Sequence, residues 1–278
     1  MTGPDRRLTP ATARVAHVSL KGRIEAPAWT EGTPARVARP VTDLLVRPDG
    51  PRDRQLLAGE RVTVIDRTDR HAFVWADKDG FCGWLAAGDL TGDHPVTHRV
   101  DAPATILYAT PTIKHRQIGW LPFGARVEVV GTEGRFAVTR DGFYLPAVHL
   151  APEGTLRTDP AEVALTFLGS PYLWGGNSRA GIDCSGMAQA ALLACGITCP
   201  GDSDLQWASV GRLLGPSEPL RRNDLLFWKG HVALALDEAR IIHANGAAMA
   251  VTIEGRADAM ARIAREDGAA SFLGVRRP

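Results

Sequence analysis

The chain has little of what would tie it to a membrane, a nucleic acid or a disulfide framework. No segment approaches the roughly 20 consecutive apolar residues that a bilayer span needs. The opening Met1-Thr2-Gly3-Pro4-Asp5-Arg6-Arg7 is polar and leads into no apolar stretch of signal-peptide length. Neither end carries a lipidation signal, so a cytoplasmic location is the expectation. Charge of one sign is missing as well. The net charge is +1 and no basic run is longer than a pair, which argues against nucleic acid and membrane surfaces as partners. The cysteines Cys82, Cys184, Cys195 and Cys199 are too few for a disulfide framework in 278 residues. Cys195 and Cys199 have a spacer that suits zinc, but no second ligand pair accompanies them, so the expectation is structural thiols, no metal and no cofactor.

What is present is an ordinary globular composition, 45% apolar and 23% charged, with length for two or three small domains. Before about residue 157 the chain is rich in short β-like runs, turns and prolines; after it, helical and strand patterns mix. The first part holds a weak internal repeat. Leu57-Ala58-Gly59-Glu60-Arg61-Val62 resembles Leu121-Pro122-Phe123-Gly124-Ala125-Arg126-Val127, and Asp79-Gly80-Phe81 is echoed by Asp141-Gly142-Phe143. Each unit has the length and alternation of a small barrel. The expected organisation is an amino-terminal arm (1–36), two small all-β barrels (37–95 and 96–155) and an α+β domain (156–278).

In the last part, Asp159-Pro160 marks a helix start. A glycine-rich turn, Pro171-Tyr172-Leu173-Trp174-Gly175-Gly176, precedes Asp183-Cys184-Ser185-Gly186 and the helix formers Met187 to Ala194. A thiol at a helix N-terminus feels the positive end of the helix dipole, which favours the thiolate. Backbone N–H groups there can also hold an oxyanion. A loop follows through Asp202. Gly230-His231-Val232-Ala233-Leu234 and Ile241-Ile242-His243-Ala244 place two histidines in successive β-like runs. A hairpin would bring them to one face, His231 as general base and His243 as the group that orients it. A helix over about 256–265 and a short strand near Leu273 complete the expected layout.

Tyr-Leu-Trp-Gly-Gly, Asp-Cys-Ser-Gly, Asp-Leu-Leu-Phe-Trp with Gly-His-Val-Ala-Leu, and Ile-Ile-His-Ala, in this order and spacing over roughly 158–278, resemble the motifs of the NlpC-type papain-like cysteine peptidases. The resemblance implies an α+β papain-like catalytic domain preceded by two SH3-like barrels. It implies Cys184 as nucleophile, His231 as base and His243 as third member, with Tyr172 on the oxyanion side of the cleft. Asp183, Ser185, Asp202 and Ser203 match positions that bind the γ-D-glutamyl portion of the substrate. The implied activity is hydrolysis of the γ-D-glutamyl–diamino acid bond of murein stem peptides. Tandem barrels resemble the subset that trims free peptides with an unblocked N-terminal L-alanine, whose amine needs a carboxylate. Glu60 is the best match for that acid and Phe81 for the aromatic residue beside it, where the family usually has tyrosine. Asn223 stands where a glycine is usual, and asparagine tolerates a left-handed backbone. Two other readings stay open: a catalytically idle peptidoglycan-binding module, and a thiol amidase or acyltransferase on another γ-glutamyl compound.

Overall fold

The computed structural model describes residues 4–278; the first three residues of the expected arm lie outside the described residues. The chain forms two compact units, 1–155 and 156–278.

In the amino-terminal unit, strands 33–37, 41–45, 52–57, 61–67, 71–76, 82–86 and 90–92 form one seven-stranded antiparallel sheet. Alternating residues such as Leu44, Leu56, Val62, Val74 and Leu85 fill its interior. Thr33–Val37 pairs inside this sheet, so the first barrel begins a few residues earlier than position 37. The second barrel combines a five-stranded and a three-stranded sheet over 98–152, closed on Val100, Leu121, Ala125 and Leu145. The sequence repeat has a backbone cause. Gly59 and Gly124 sit at φ 74° and 84°, and Gly80 and Gly142 at 74° and 78°. Each pair supplies the same left-handed turn, which L side chains rarely adopt.

The carboxy-terminal unit is built on a six-stranded antiparallel sheet. Its strands, numbered within this unit, are β1 (Arg212–Leu213), β2 (Leu225–Trp228), β3 (His231–Ala235), β4 (Arg240–Asn245), β5 (Ala250–Gly255) and β6 (Phe272–Arg277). The order across the sheet is β1-β6-β2-β3-β4-β5. The short strand expected near Leu273 is therefore six residues long and lies inside the sheet between β1 and β2. The helices are α1 (Pro160–Leu165), α2 (Cys184–Ala194), α3 (Ser203–Ser209) and α4 (Arg256–Asp267). α1 ends at Leu165, and α3 follows directly on the expected loop through Asp202, where the sequence predicts no element. α4 lays Ala259 and Ile263 on one sheet face against Leu226, Ala233, Ala235 and Ile241. α1 and α2 pack on β3 and β4. Covered on both faces, β4 is buried from Ile241 to Asn245, with His243 among apolar neighbours.

Asn223, at the turn into β2, adopts φ 76°, as the residue type allows. Its Oδ1 also accepts a hydrogen bond from the Ala161 amide at 2.8 Å, sharing that first-turn N–H of α1 with the N-cap Asp159 Oδ1 at 3.0 Å.

Candidate active site

Local chemistry at the start of α2 fixes Cys184. Asp183 is the N-cap: its Oδ1 accepts from the Gly186 amide at 2.7 Å and from the Ser185 hydroxyl at 3.0 Å. Its Oδ2 accepts from the Gly175 amide at 2.8 Å, so one carboxylate holds the glycine-rich turn and the helix together. Gly186 is required by space, since a Cβ there would come within 2.5 Å of the Gly176 carbonyl oxygen and Asn177 Oδ1. Tyr172 is pinned through its amide to the Met249 carbonyl at 2.8 Å. Burial, with Cys184 and Asp183 close by, pushes its phenol up.

The thiol departs from the expectation drawn from the helix dipole. Cys184 is buried, and desolvation first, then the Asp183 charge, pushes it up to about 12. Hydrogen bonds from the backbone amides of Val232, Ser185 and Cys184 pull the other way without prevailing. Removing water outweighs the partial charge of one helix end. The sulfur lies beside the amide of Val232, the residue that follows His231.

The two histidines meet as the hairpin logic requires. A two-residue connection through Gly230, at φ 76°, turns β2 into β3 with Trp228 opposite His231. β3 and β4 pair antiparallel, and His231 Nε2 lies 2.9 Å from His243 Nδ1. Trp228 packs on the His231 ring with centroids 5.6 Å apart. Burial pushes His231 down to about 3, with His243 and Arg262 adding to the effect. It lowers His243 as well, against the pull of Glu254. Burial therefore works against a charge on either group alone, and a charge on one is better supported when the other carries the opposite charge.

Three groups at or around this site were not legible in the sequence. Glu254, on β5, accepts from His243 Nε2 at 3.1 Å. Arg262, on α4, holds that carboxylate through contacts of 2.8 and 3.2 Å. Gln206, fully buried, sends its Nε2 toward the carbonyls of Ser185, Pro200 and Gly201 at 2.9–3.0 Å, tying α3 to the first turn of α2. The β-strand period gives a retrospective signal for Glu254: it pairs with Ile241 and so shares a face with His243.

The remaining expected residues divide by place. Asp202 is the residue before α3 and makes no cap bond through its side chain; Ser203 opens the helix. Glu60 and Phe81 lie in the amino-terminal unit. Glu60 is neither a solvated turn carboxylate nor an open one. It accepts from the Leu57 amide at 3.1 Å and grips the Lys78 ammonium at 2.7 and 2.9 Å. Phe81 is 1% exposed in the barrel core, with the Arg54 guanidinium 5.0 Å above its ring. Among the described residues, no cluster of three or more His, Cys, Asp or Glu could hold a metal ion, and no helix is long and apolar enough to cross a membrane.

Comparison with known proteins agrees with this layout. Residues 169–262 match the NlpC/P60 family, and residues 44–90 match the bacterial dipeptidyl-peptidase SH3 domain. A γ-D-glutamyl-L-lysine dipeptidyl-peptidase of Bacillus cereus is 27% identical over 72% of this chain and 69% of its own length. The protein of that name in Bacillus subtilis is 30% identical over 68% and 71%. A crystal structure of an NlpC/P60 family protein from Bacillus cereus superposes with a TM-score of 0.74 over 88% of this chain and 99% of its own, at 22% identity, and shows the same fold. On these grounds the chain belongs to the NlpC/P60 family of peptidases.

Proposed function

We propose that the protein is a cysteine endopeptidase that hydrolyses the γ-D-glutamyl–diamino acid bond of small murein peptides, carrying out the chemistry with Cys184, His231 and His243. The observation that carries the reading is the 2.9 Å contact between His231 and His243 beside a thiol at a capped helix N-terminus. In the reaction, His231 takes the thiol proton as Sγ bonds to the γ-carbonyl carbon of D-glutamate. Backbone N–H groups at the start of α2, with Tyr172 on that side, receive the developing oxyanion. The C–N bond then breaks, His231 returns the proton to the departing α-amine, and a thioester remains on Cys184. Water, deprotonated by His231, cleaves the thioester and restores the thiol.

Asp183, Ser185, Asp202 and Ser203 are assigned to the γ-D-glutamyl portion, whose carboxylate needs hydroxyl and N–H donors. The link from Gln206 to Ser185 supports treating the starts of α2 and α3 as one rigid surface. Glu60 is assigned to a free amino terminus, whereas Phe81, 1% exposed in the barrel core under Arg54, has no surface to offer a substrate. The ammonium of Lys78 already bound to Glu60 supports the chemistry, and Lys78 has to yield for a substrate amine to enter. The γ-D-glutamyl-L-lysine dipeptidyl-peptidases among the relatives support the substrate class.

The test is incubation with L-Ala-γ-D-Glu-L-Lys and its meso-diaminopimelate counterpart, each also N-acetylated, using wild type and Cys184→Ala. Release of L-Ala-D-Glu, abolished in the variant and by thiol alkylation, is the expected result. Equal cleavage of the acetylated peptides removes the role given to Glu60. Absence of cleavage of every peptide overturns the reading.

A further inference from the structure

Resting on the peptidase reading above, we propose that Glu254, anchored by Arg262, is a positioning residue that fixes the tautomers of both active-site histidines and so leaves His231 Nδ1 as the base. The argument is one of proton counting along a single line of contacts. The Glu254 carboxylate takes two contacts from Arg262, at 2.8 Å on Oε2 and 3.2 Å on Oε1. Arg262 holds the Glu254 carboxyl below the usual carboxylate range, so the group carries no proton and can only accept. His243 Nε2, 3.1 Å away, must therefore bear a hydrogen.

His243 is fully buried, and desolvation lowers its ring against the pull of Glu254, which disfavours a second proton. With Nε2 protonated, its Nδ1 is bare and accepts. The atom facing that lone pair is His231 Nε2, at 2.9 Å, which must donate. The neutral His231 ring then has its one hydrogen on Nε2, and Nδ1 keeps the lone pair that removes a thiol proton. Without a fixed acceptor at Glu254, the chain can run the other way. His243 then donates from Nδ1 to His231 Nε2, His231 carries its hydrogen on Nδ1, and no base remains. The carboxylate thus acts two rings away from the nitrogen it controls, as outer partners orient functional imidazoles elsewhere.

The experiment uses the full chain with 15N-labelled histidine, whose ring-nitrogen NMR shifts separate protonated from bare nitrogens, with His231 and His243 assigned by single replacement. In the wild type both rings are expected as Nε2–H tautomers. In Glu254→Gln, whose NH2 can donate to His243, a population with hydrogen on Nδ1 of both rings is expected, with kcat down about 100-fold and KM nearly unchanged. Arg262→Lys, which keeps the positive charge, is expected to retain the wild-type tautomers.

A wild-type His243 with hydrogen on Nδ1 overturns the proposal without any variant being needed. So does a Glu254→Gln protein that loses activity while both tautomers stay as they were, because the residue then acts only on structure. The tautomers are read without substrate. A wild type that cleaves no murein peptide therefore sinks the peptidase reading alone, and the rate of Cys184 alkylation then replaces kcat.

Discussion

Replacing Asp183 by asparagine separates two effects that usually move together. In the native protein Oδ1 holds the Ser185 hydroxyl and the Gly186 amide while Oδ2 holds the Gly175 amide. Asparagine can satisfy only one of these sides; the other then sets an NH2 against a backbone N–H or a hydroxyl. The loss is one charge-assisted hydrogen bond plus a weakened cap, about 2–3 kcal/mol. For a unit of this size that lowers the melting temperature by roughly 10 °C. The same change removes the negative charge that raises the Cys184 thiol. The thiol becomes more acidic, so alkylation by iodoacetamide sets in at lower pH in the variant. Turnover falls nonetheless, because the amides at the start of α2 lose the anchor that aims them. Melting followed by circular dichroism, alkylation rates across pH and peptide hydrolysis give the three readings. An unchanged melting temperature, or an alkylation profile displaced toward higher pH, refutes the reasoning.

Gln206→Leu leaves the Ser185, Pro200 and Gly201 carbonyls without the buried donor they share. A loss of about 2–4 kcal/mol in urea unfolding of the carboxy-terminal unit is expected, and a loss under 0.5 kcal/mol would refute it. Lys78→Met strands the buried Glu60 carboxylate, costing the amino-terminal unit about 3–5 kcal/mol. The double change Lys78→Met with Glu60→Met is expected to recover most of that in denaturant melts. Acid should destabilise the carboxy-terminal unit through His231. Its folded value is pushed down to about 3 while the unfolded ring titrates near 6.5, so the unfolded state binds more protons between these limits. The contribution is complete above about pH 6.5 and falls as pH drops, by about 2 kcal/mol at pH 5. His231→Gln should show a smaller loss between pH 7 and 5, and an equal loss would count against the assignment.

The parts of the site that follow from short stretches of chain were legible in the sequence. Asp183 immediately precedes the helix that Cys184 opens, and a side chain there caps the amides of the next turn. The successive β-like runs that carry His231 and His243 make a second hairpin, β3 to β4, and its pairing brings the two rings to one face. Asn223 and the paired glycines of the repeat announce left-handed turns, because few other residues accept them. The helix over 203–209 escaped notice because much of its support is a buried glutamine bonded to carbonyls, which leaves no periodic apolar signal.

By itself, then, the sequence determined the class of the fold, the capped cysteine and the ordered histidine pair, each set by contacts within a few residues or across one turn. Only the tertiary structure decided what surrounds them. The insertion of Phe272–Arg277 between β1 and β2, the grip of Lys78 on Glu60 and the approach of Arg262 to Glu254 join residues that no local rule relates. What works against the thiolate lies there too. A helix end favours the thiolate, but the depth of burial is a property of the whole packed unit, and desolvation outweighs the dipole.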